Sequence, residues 1–259
     1  MNPSHPRFAF VAGLHRTGTT LISRILADHP DVSAITNAPV PENEGCYLQG
    51  AVPHTARHGI PGQYATDPLQ HYTESSSYNS LETRRRLLAD WSPWFDASKT
   101  WWMEKSPVNL TRMRLYQQLF PMAHFVIVLR HPQVMAAALA KWSDDDPATL
   151  LNYGLDGYDC MEGDLEYLHA YQIIRYEDLV ARPSHTVQTL YAFLDLSDHQ
   201  CDIAVRDGNL DYELSNGADR HAASRLAKWG YGDGGDVLPF ESRNAHPLRH
   251  VRDRIARIG

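Results

Sequence analysis

Residues 8–20, Phe8-Ala-Phe-Val-Ala-Gly-Leu-His-Arg-Thr-Gly-Thr-Thr20, constrain this chain more than any other stretch. An apolar run of the kind that forms a buried strand enters a loop containing two glycines. The chain continues as Thr19-Thr-Leu-Ile-Ser-Arg-Ile-Leu-Ala27, whose apolar residues recur at helical spacing. Strand, glycine turn and helix in this order make an anion cradle. The first N–H groups of the helix lack intrahelical acceptors, and its dipole favours negative charge there. Gly13 and Gly18 have the spacing of a Walker A phosphate loop, but Thr19 stands where that loop carries its lysine, with Thr20 after it. The one Lys or Arg in the loop is Arg16. The pattern predicts a phosphate loop rebuilt for something other than the γ-phosphate of a nucleoside triphosphate.

Three later segments continue the pattern. Trp101-Trp-Met-Glu-Lys-Ser-Pro107 reads as a strand running into a helix, with Ser106 as N-cap and Pro107 as first helical residue. His124-Phe-Val-Ile-Val-Leu-Arg-His-Pro132 reads as a buried strand ending in Arg130. Gln172-Ile-Ile-Arg-Tyr-Glu-Asp-Leu179 is followed by an amphipathic helix reaching Leu196. Strands alternating with helices predict an α/β fold, a P-loop-type parallel sheet flanked by helices. A chain of 259 residues with 43% hydrophobic residues can bury one sizeable core, so residues 1–259 are expected to form a single domain. Ligands of such sheets bind beyond the carboxyl ends of the strands. Arg16, Lys105 and Arg130 fall at those ends, so one ligand could meet all three.

In this order the segments resemble the sulfotransferase family, whose members move a sulfonate from 3′-phosphoadenosine 5′-phosphosulfate (PAPS) to a hydroxyl or amine. Gly-x-x-Arg-x-Gly-Thr-Thr is similar to the family's 5′-phosphosulfate loop. The resemblance implies that Gly13, His15, Arg16, Thr17, Gly18, Thr19 and Thr20 bind the cofactor. Cytosolic members usually carry Lys where this chain has Arg16; the arginine form resembles the tyrosylprotein branch and many bacterial enzymes. Lys105 resembles the lysine of that branch's Lys-x-Pro strand end, and with Arg16 it would stabilise charge on the leaving phosphate. Arg130 is similar to the arginine that grips the ribose 3′-phosphate, and Tyr176 lies in the family's Tyr-Glu-Asp-Leu segment. The base implied by the resemblance is Glu44, with Glu42 and then His54 as alternatives.

The chain also departs from the family. The serine expected eight residues after the strand-end arginine, which would bind the 3′-phosphate, is Ala138, leaving Lys141 as a replacement. The basic, glycine-rich C-terminal signature of cytosolic members is absent, so Arg225 or Lys228 is expected to close over the nucleotide. Ala138 keeps open a catalytically inactive nucleotide-binding relic of the fold. A P-loop metabolite kinase is the other alternative, although it needs a lysine at position 19 and an acidic metal-holding strand end.

Composition bounds the partners. A net charge of −7 argues against broad nucleic-acid binding. No run of about 18 apolar residues predicts a membrane span. Met-Asn-Pro-Ser-His-Pro-Arg leads directly into the first strand, and Cys46, Cys160 and Cys201 are odd in number and widely spaced. These features predict a cytoplasmic protein with reduced thiols and no signal peptide. The tyrosylprotein branch consists of Golgi membrane proteins, so the expected acceptor is a hydroxyl on a small molecule, sugar or lipid. No metal-ligand spacing is present. Residues 37–75, with five prolines and no sustained period, are expected to form the acceptor-binding wall. Residues 78–91 read as a polar helix whose Arg84-Arg85-Arg86 faces solvent.

Overall fold

The computed structural model describes residues 7–54, 63–214 and 217–258. Its centre is a six-stranded sheet in the order β2-β3-β1-β4-β5-β6, built from β1 (Arg7–Gly13), β2 (Val32–Ala34), β3 (Trp101–Lys105), β4 (His124–Leu129), β5 (Tyr171–Arg175) and β6 (Asn244–Ala245). The first five strands are parallel, and β6 pairs antiparallel with β5. Because β1 is central and covered on both faces, its run is apolar without alternation. Phe8, Phe10 and Ala12 point into one core, Ala9 and Val11 into the other.

Helices cover both faces. α1 (Thr19–Ala27), α7 (Pro183–Phe193) and α9 (Arg249–Ile258) bury Ile22, Ile25, Leu190, Phe193 and Val251 on the Val11 side. On the Phe10 side lie α2 (Leu81–Trp91), α3 (Met113–Leu119), α4 (Pro132–Leu139), α5 (Pro147–Leu165) and α8 (Arg220–Lys228). Trp91, Tyr116 and Phe120 pack around Phe8 and Phe10 there as an aromatic cluster. The short α6 (Tyr176–Ala181) leaves β5 directly.

Register brings the loops together. Val11 pairs with Lys105, Gly13 with Val128, and Leu129 with Arg175. The residues that follow, the loop 14–18, Ser106, Arg130 and Tyr176, therefore emerge at one edge of the sheet. Two local expectations change. After β3 the chain makes a 3-10 turn (Pro107–Thr111), and Ser106 makes no capping bond. Its hydroxyl is held by Glu104 and by the Cys46 N–H. The expected 78–91 helix is α2, capped by the Ser80 hydroxyl, with Arg85 and Arg86 exposed.

The expected irregular segment 37–75 is irregular, but it is packed against the sheet. Short 3-10 turns punctuate it at Pro41–Asn43, Gly45–Tyr47, Tyr64–Thr66 and Pro68–Gln70, and Cys46, Val52, Tyr64 and Tyr72 enter the Phe10-side core. Residues 55–62 of that segment lie outside the described residues. Cys46, Cys160 and Cys201 are all free thiols. No helix among the described residues is long and apolar enough to cross a membrane.

Candidate active site

The cradle is shaped by two glycines that no larger residue could replace. A Cβ on Gly13 would lie 2.7 Å from the carbonyl oxygen of Val128, so β1 and β4 could not approach as they do. Gly18 has φ +100° and ends the loop in the left-handed region, where a side chain is strained. A Cβ there would also meet the Tyr176 ring at 2.8 Å, so this tyrosine seals the cradle wall. Arg16 itself has φ 69°, a left-handed conformation that typically costs a non-glycine residue about 1–2 kcal/mol. Thr17 is buried and its hydroxyl donates to the Leu14 carbonyl, fastening the loop to itself. Thr19 and Thr20 open α1, and its N-cap residue, Gly18, has no side chain to cap it.

His15 sits behind the loop, its ring 5.6 Å from that of Tyr64. Burial, followed by the charges of Lys105 and Arg16, lowers its pKa to about 4, so it is neutral at pH 7. Its Nδ1 is buried with no hydrogen-bond partner among the described residues. The Tyr64 hydroxyl lies 2.8 Å from the Gly13 carbonyl and 2.7 Å from that of Pro107, tying the cradle to the turn after β3.

At that turn Lys105 donates to Glu44 at 3.1 Å, and the two side chains are only 4% and 9% exposed. Burial raises the Glu44 pKa, and the facing lysine offsets part of the rise. Glu44 is held there by its neighbour in the loop. The Gly45 N–H donates at 2.9 Å to Glu104 Oε1, and a Cβ on Gly45 would strike the same carboxylate at 2.7 Å. Glu104 is fully buried, and burial raises its pKa. It also accepts from the Ser106 hydroxyl at 2.5 Å and the Asn109 amide at 2.6 Å. Sequence reasoning passed over this residue. Its signal was a carboxylate inside an otherwise apolar strand, beside the lysine.

The alternative bases are placed differently. Glu42 is exposed, on a residue with φ 50°. His54 is buried edge-on to Tyr47, with ring centroids 5.0 Å apart.

Arg130 is nearly buried and serves as a hub. Its Nη1 donates to the Arg16 carbonyl at 2.9 Å and its Nε to the Asn209 side chain at 2.8 Å, while its guanidinium lies 4.5 Å from the Tyr176 ring centroid. Ala138 is buried in α4 and presents no hydroxyl. Lys141 is exposed just beyond α4 and reaches over the ring of Tyr212 at 4.8 Å. Arg225 and Lys228, expected to close over the nucleotide, have carboxylate partners. Arg225 is ion-paired with Asp156 and Asp159, and Lys228 with Glu162, so both brace α8 on α5.

Arg16, His15, Lys105, Glu44, Arg130 and Tyr176 thus gather at one sheet edge. Among the described residues, no group of three or more His, Cys, Asp or Glu could hold a metal ion. The sequence profile described as the sulfotransferase family matches residues 7–200, about three-quarters of the chain, without singling out the tyrosylprotein branch. No curated protein matches significantly. Among solved structures, a sulfotransferase from Alicyclobacillus acidocaldarius is 20% identical over 81% of this chain and 90% of its own, with a TM-score of 0.48. The sulfotransferase domain of the Synechococcus PCC 7002 olefin synthase is 16% identical over 99% and 97%, with a TM-score of 0.49. Sulfotransferase STF1 of Mycobacterium tuberculosis is 17% identical over 98% and 77%, with a TM-score of 0.47.

Proposed function

The chain belongs to the sulfotransferase family, and from that premise we propose that it transfers a sulfonate from PAPS to a hydroxyl of a small-molecule, sugar or lipid acceptor. The observation that carries this reading is the buried Glu44–Lys105 pair beside a glycine cradle that holds Arg16. A carboxylate with a raised pKa can take a proton, and two cations can take up charge on a departing phosphate. The residues fit the donor. The cradle offers a helix start without a side-chain cap and an unpartnered His15 Nδ1, and Arg16, Arg130 and Lys141 have no carboxylate ion-pair partner among the described residues.

PAPS supplies an activated sulfonate on a phosphate leaving group. Gly13, His15, Thr17, Gly18, Thr19 and Thr20 would seat the 5′ end, and Arg130 with Tyr176 the 3′ end. Glu44 would accept the acceptor's proton as its oxygen forms the new S–O bond. Arg16 and Lys105 would stabilise the phosphate oxygen as the old S–O bond breaks, leaving adenosine 3′,5′-bisphosphate. Residues 37–75 would form the acceptor wall. Of the three bases considered, the Lys105 contact favours Glu44 over Glu42 and His54. Incubation with radiolabelled PAPS and a panel of hydroxyl acceptors tests the reading. Label should pass to an acceptor with the wild type and fall sharply with Arg16→Ala. A panel that takes no label from a protein that binds adenosine 3′,5′-bisphosphate would favour the inactive relic.

A further inference from the structure

Three cations in this acidic chain converge on one phenol. Arg16 Nη2 donates to the Tyr212 hydroxyl at 3.3 Å. The Lys141 ammonium lies 4.8 Å from the centroid of the Tyr212 ring, and the Arg130 guanidinium 5.7 Å from it. None of the three is ion-paired with a carboxylate among the described residues, whereas Lys105, Arg175, Arg225 and Lys228 all are. Mutually repelling, unneutralised cations gathered this closely are a seat for an anion.

The segment carrying Tyr212 is fastened to the residues assigned to the nucleotide. The Asn209 side chain accepts from Arg130 and donates to Glu177 at 2.9 Å. The Tyr176 hydroxyl accepts from the Gly208 N–H at 2.8 Å and donates to the Arg206 carbonyl at 2.7 Å. Residues 206–212 therefore form a strap across the cradle, with Tyr212 at its end. The phenol oxygen accepts from Arg16, which leaves its own O–H to donate. Burial pulls the phenol's pKa up, but the Arg16 hydrogen bond and the three nearby charges outweigh it and hold the pKa below its ordinary value. A more acidic phenol is a stronger donor to an anion.

We propose that Tyr212 is a further ligand of the donor site, giving its O–H to an oxygen at the 5′ end of the bound nucleotide beside Arg16. This rests on the PAPS reading above, and it adds a neutral donor where a fourth cation would meet three others. The Tyr212 ring lies against Lys141 and Arg130, which offsets part of the repulsion between two cations that lack carboxylate partners among the described residues.

The test is a pair of calorimetric titrations on the full chain, wild type and Tyr212→Phe, with adenosine 3′,5′-bisphosphate and with adenosine 3′-phosphate. Phenylalanine keeps the ring over Lys141 and Arg130 and removes only the hydroxyl, and Tyr212 is half-buried, so folding should be preserved. Loss of one hydrogen bond to a charged group should weaken the bisphosphate about tenfold or more and leave the 3′-phosphate unchanged. Equal weakening of both ligands would mean the hydroxyl only orders the strap, and would overturn the proposal. So would unchanged affinity for both, or tighter binding by the variant, which would make the phenol an obstruction. Wild-type binding of the bisphosphate with no effect of Tyr212→Phe sinks this inference alone. Absence of wild-type binding sinks the PAPS reading with it.

Discussion

Replacing Lys105 by Met should expose how the site is balanced. Methionine fills nearly the same volume, so the change removes a charge rather than packing. It leaves the Glu44 carboxyl, 9% exposed, facing no cation at 3.1 Å. Stranding a buried charge typically costs about 3–5 kcal/mol. Glu44 has a cheaper route, which is to bind a proton. From its ordinary value of 4.5, protonation at pH 7 costs about 3.4 kcal/mol, and this bounds the loss. The wild-type carboxyl is already raised by burial, so the variant's deficit should be about 1–3 kcal/mol at pH 7. The sign follows from the raised folded pKa. The deficit is absent below the wild-type folded pKa, grows as pH rises toward the variant's still higher one, and is level above that. Denaturant midpoints between pH 5 and 8, at constant m, should show the deficit shrinking toward acid by up to about 1.4 kcal/mol per pH unit. Adding Glu44→Gln to the variant should recover most of it. A deficit that is flat with pH, or one that Glu44→Gln fails to relieve, would refute the buried pair.

Other outcomes follow from the same geometry. Glu44→Gln should cut turnover by roughly 10²–10⁴ with little change in nucleotide affinity, while Glu42→Gln stays mild. Near-normal activity in Glu44→Gln together with loss in His54→Ala would move the base to the histidine. The acid limb of the wild-type pH–rate profile should lie above the ordinary carboxylate range, because the Glu44 pKa is raised. Arg130→Ala should weaken adenosine 3′,5′-bisphosphate about tenfold or more and leave adenosine 5′-phosphate nearly as weak as before; equal weakening of both would remove Arg130 from the 3′-phosphate. In the sheet, His124 and His246 meet at 2.7 Å, and burial lowers the His124 pKa to about 3. The unfolded chain then binds more protons than the folded one below about pH 6.5. Stability should therefore fall by about 2 kcal/mol from pH 7 to pH 5 on account of His124, and His124→Gln should flatten that slope in a denaturation series.

The parts legible in the sequence were those governed by local pattern. The continuous apolar runs of β1 and β4 announced central parallel strands, and Gly13 and Gly18 announced the turn between β1 and α1. β2 and β6 have three and two residues, too few for a period to register. The helix expected after Ser106 starts at Pro107 as expected, but without the side-chain cap. The Ser106 hydroxyl is drawn to Glu104 and Cys46, and the chain tightens to a 3-10 turn. The candidate site divides the same way. Arg16 and Arg130 stand at strand ends and could be named from spacing, whereas Glu104 and Tyr212 act through partners 59 and 196 residues away. Arg225 and Lys228 looked like free cations until α5 brought its acids opposite them. Residues 37–75 showed no period because their burial comes from isolated anchors, Tyr64 and Tyr72 among them, rather than from a repeating face.

The most direct measurement is a metal-free calorimetric titration of the wild-type chain with adenosine 3′,5′-bisphosphate, run beside ATP with Mg²⁺. One bisphosphate should bind per chain, at least tenfold more tightly than ATP–Mg²⁺. Tighter binding of ATP–Mg²⁺, or no heat from the bisphosphate, would contradict the PAPS reading.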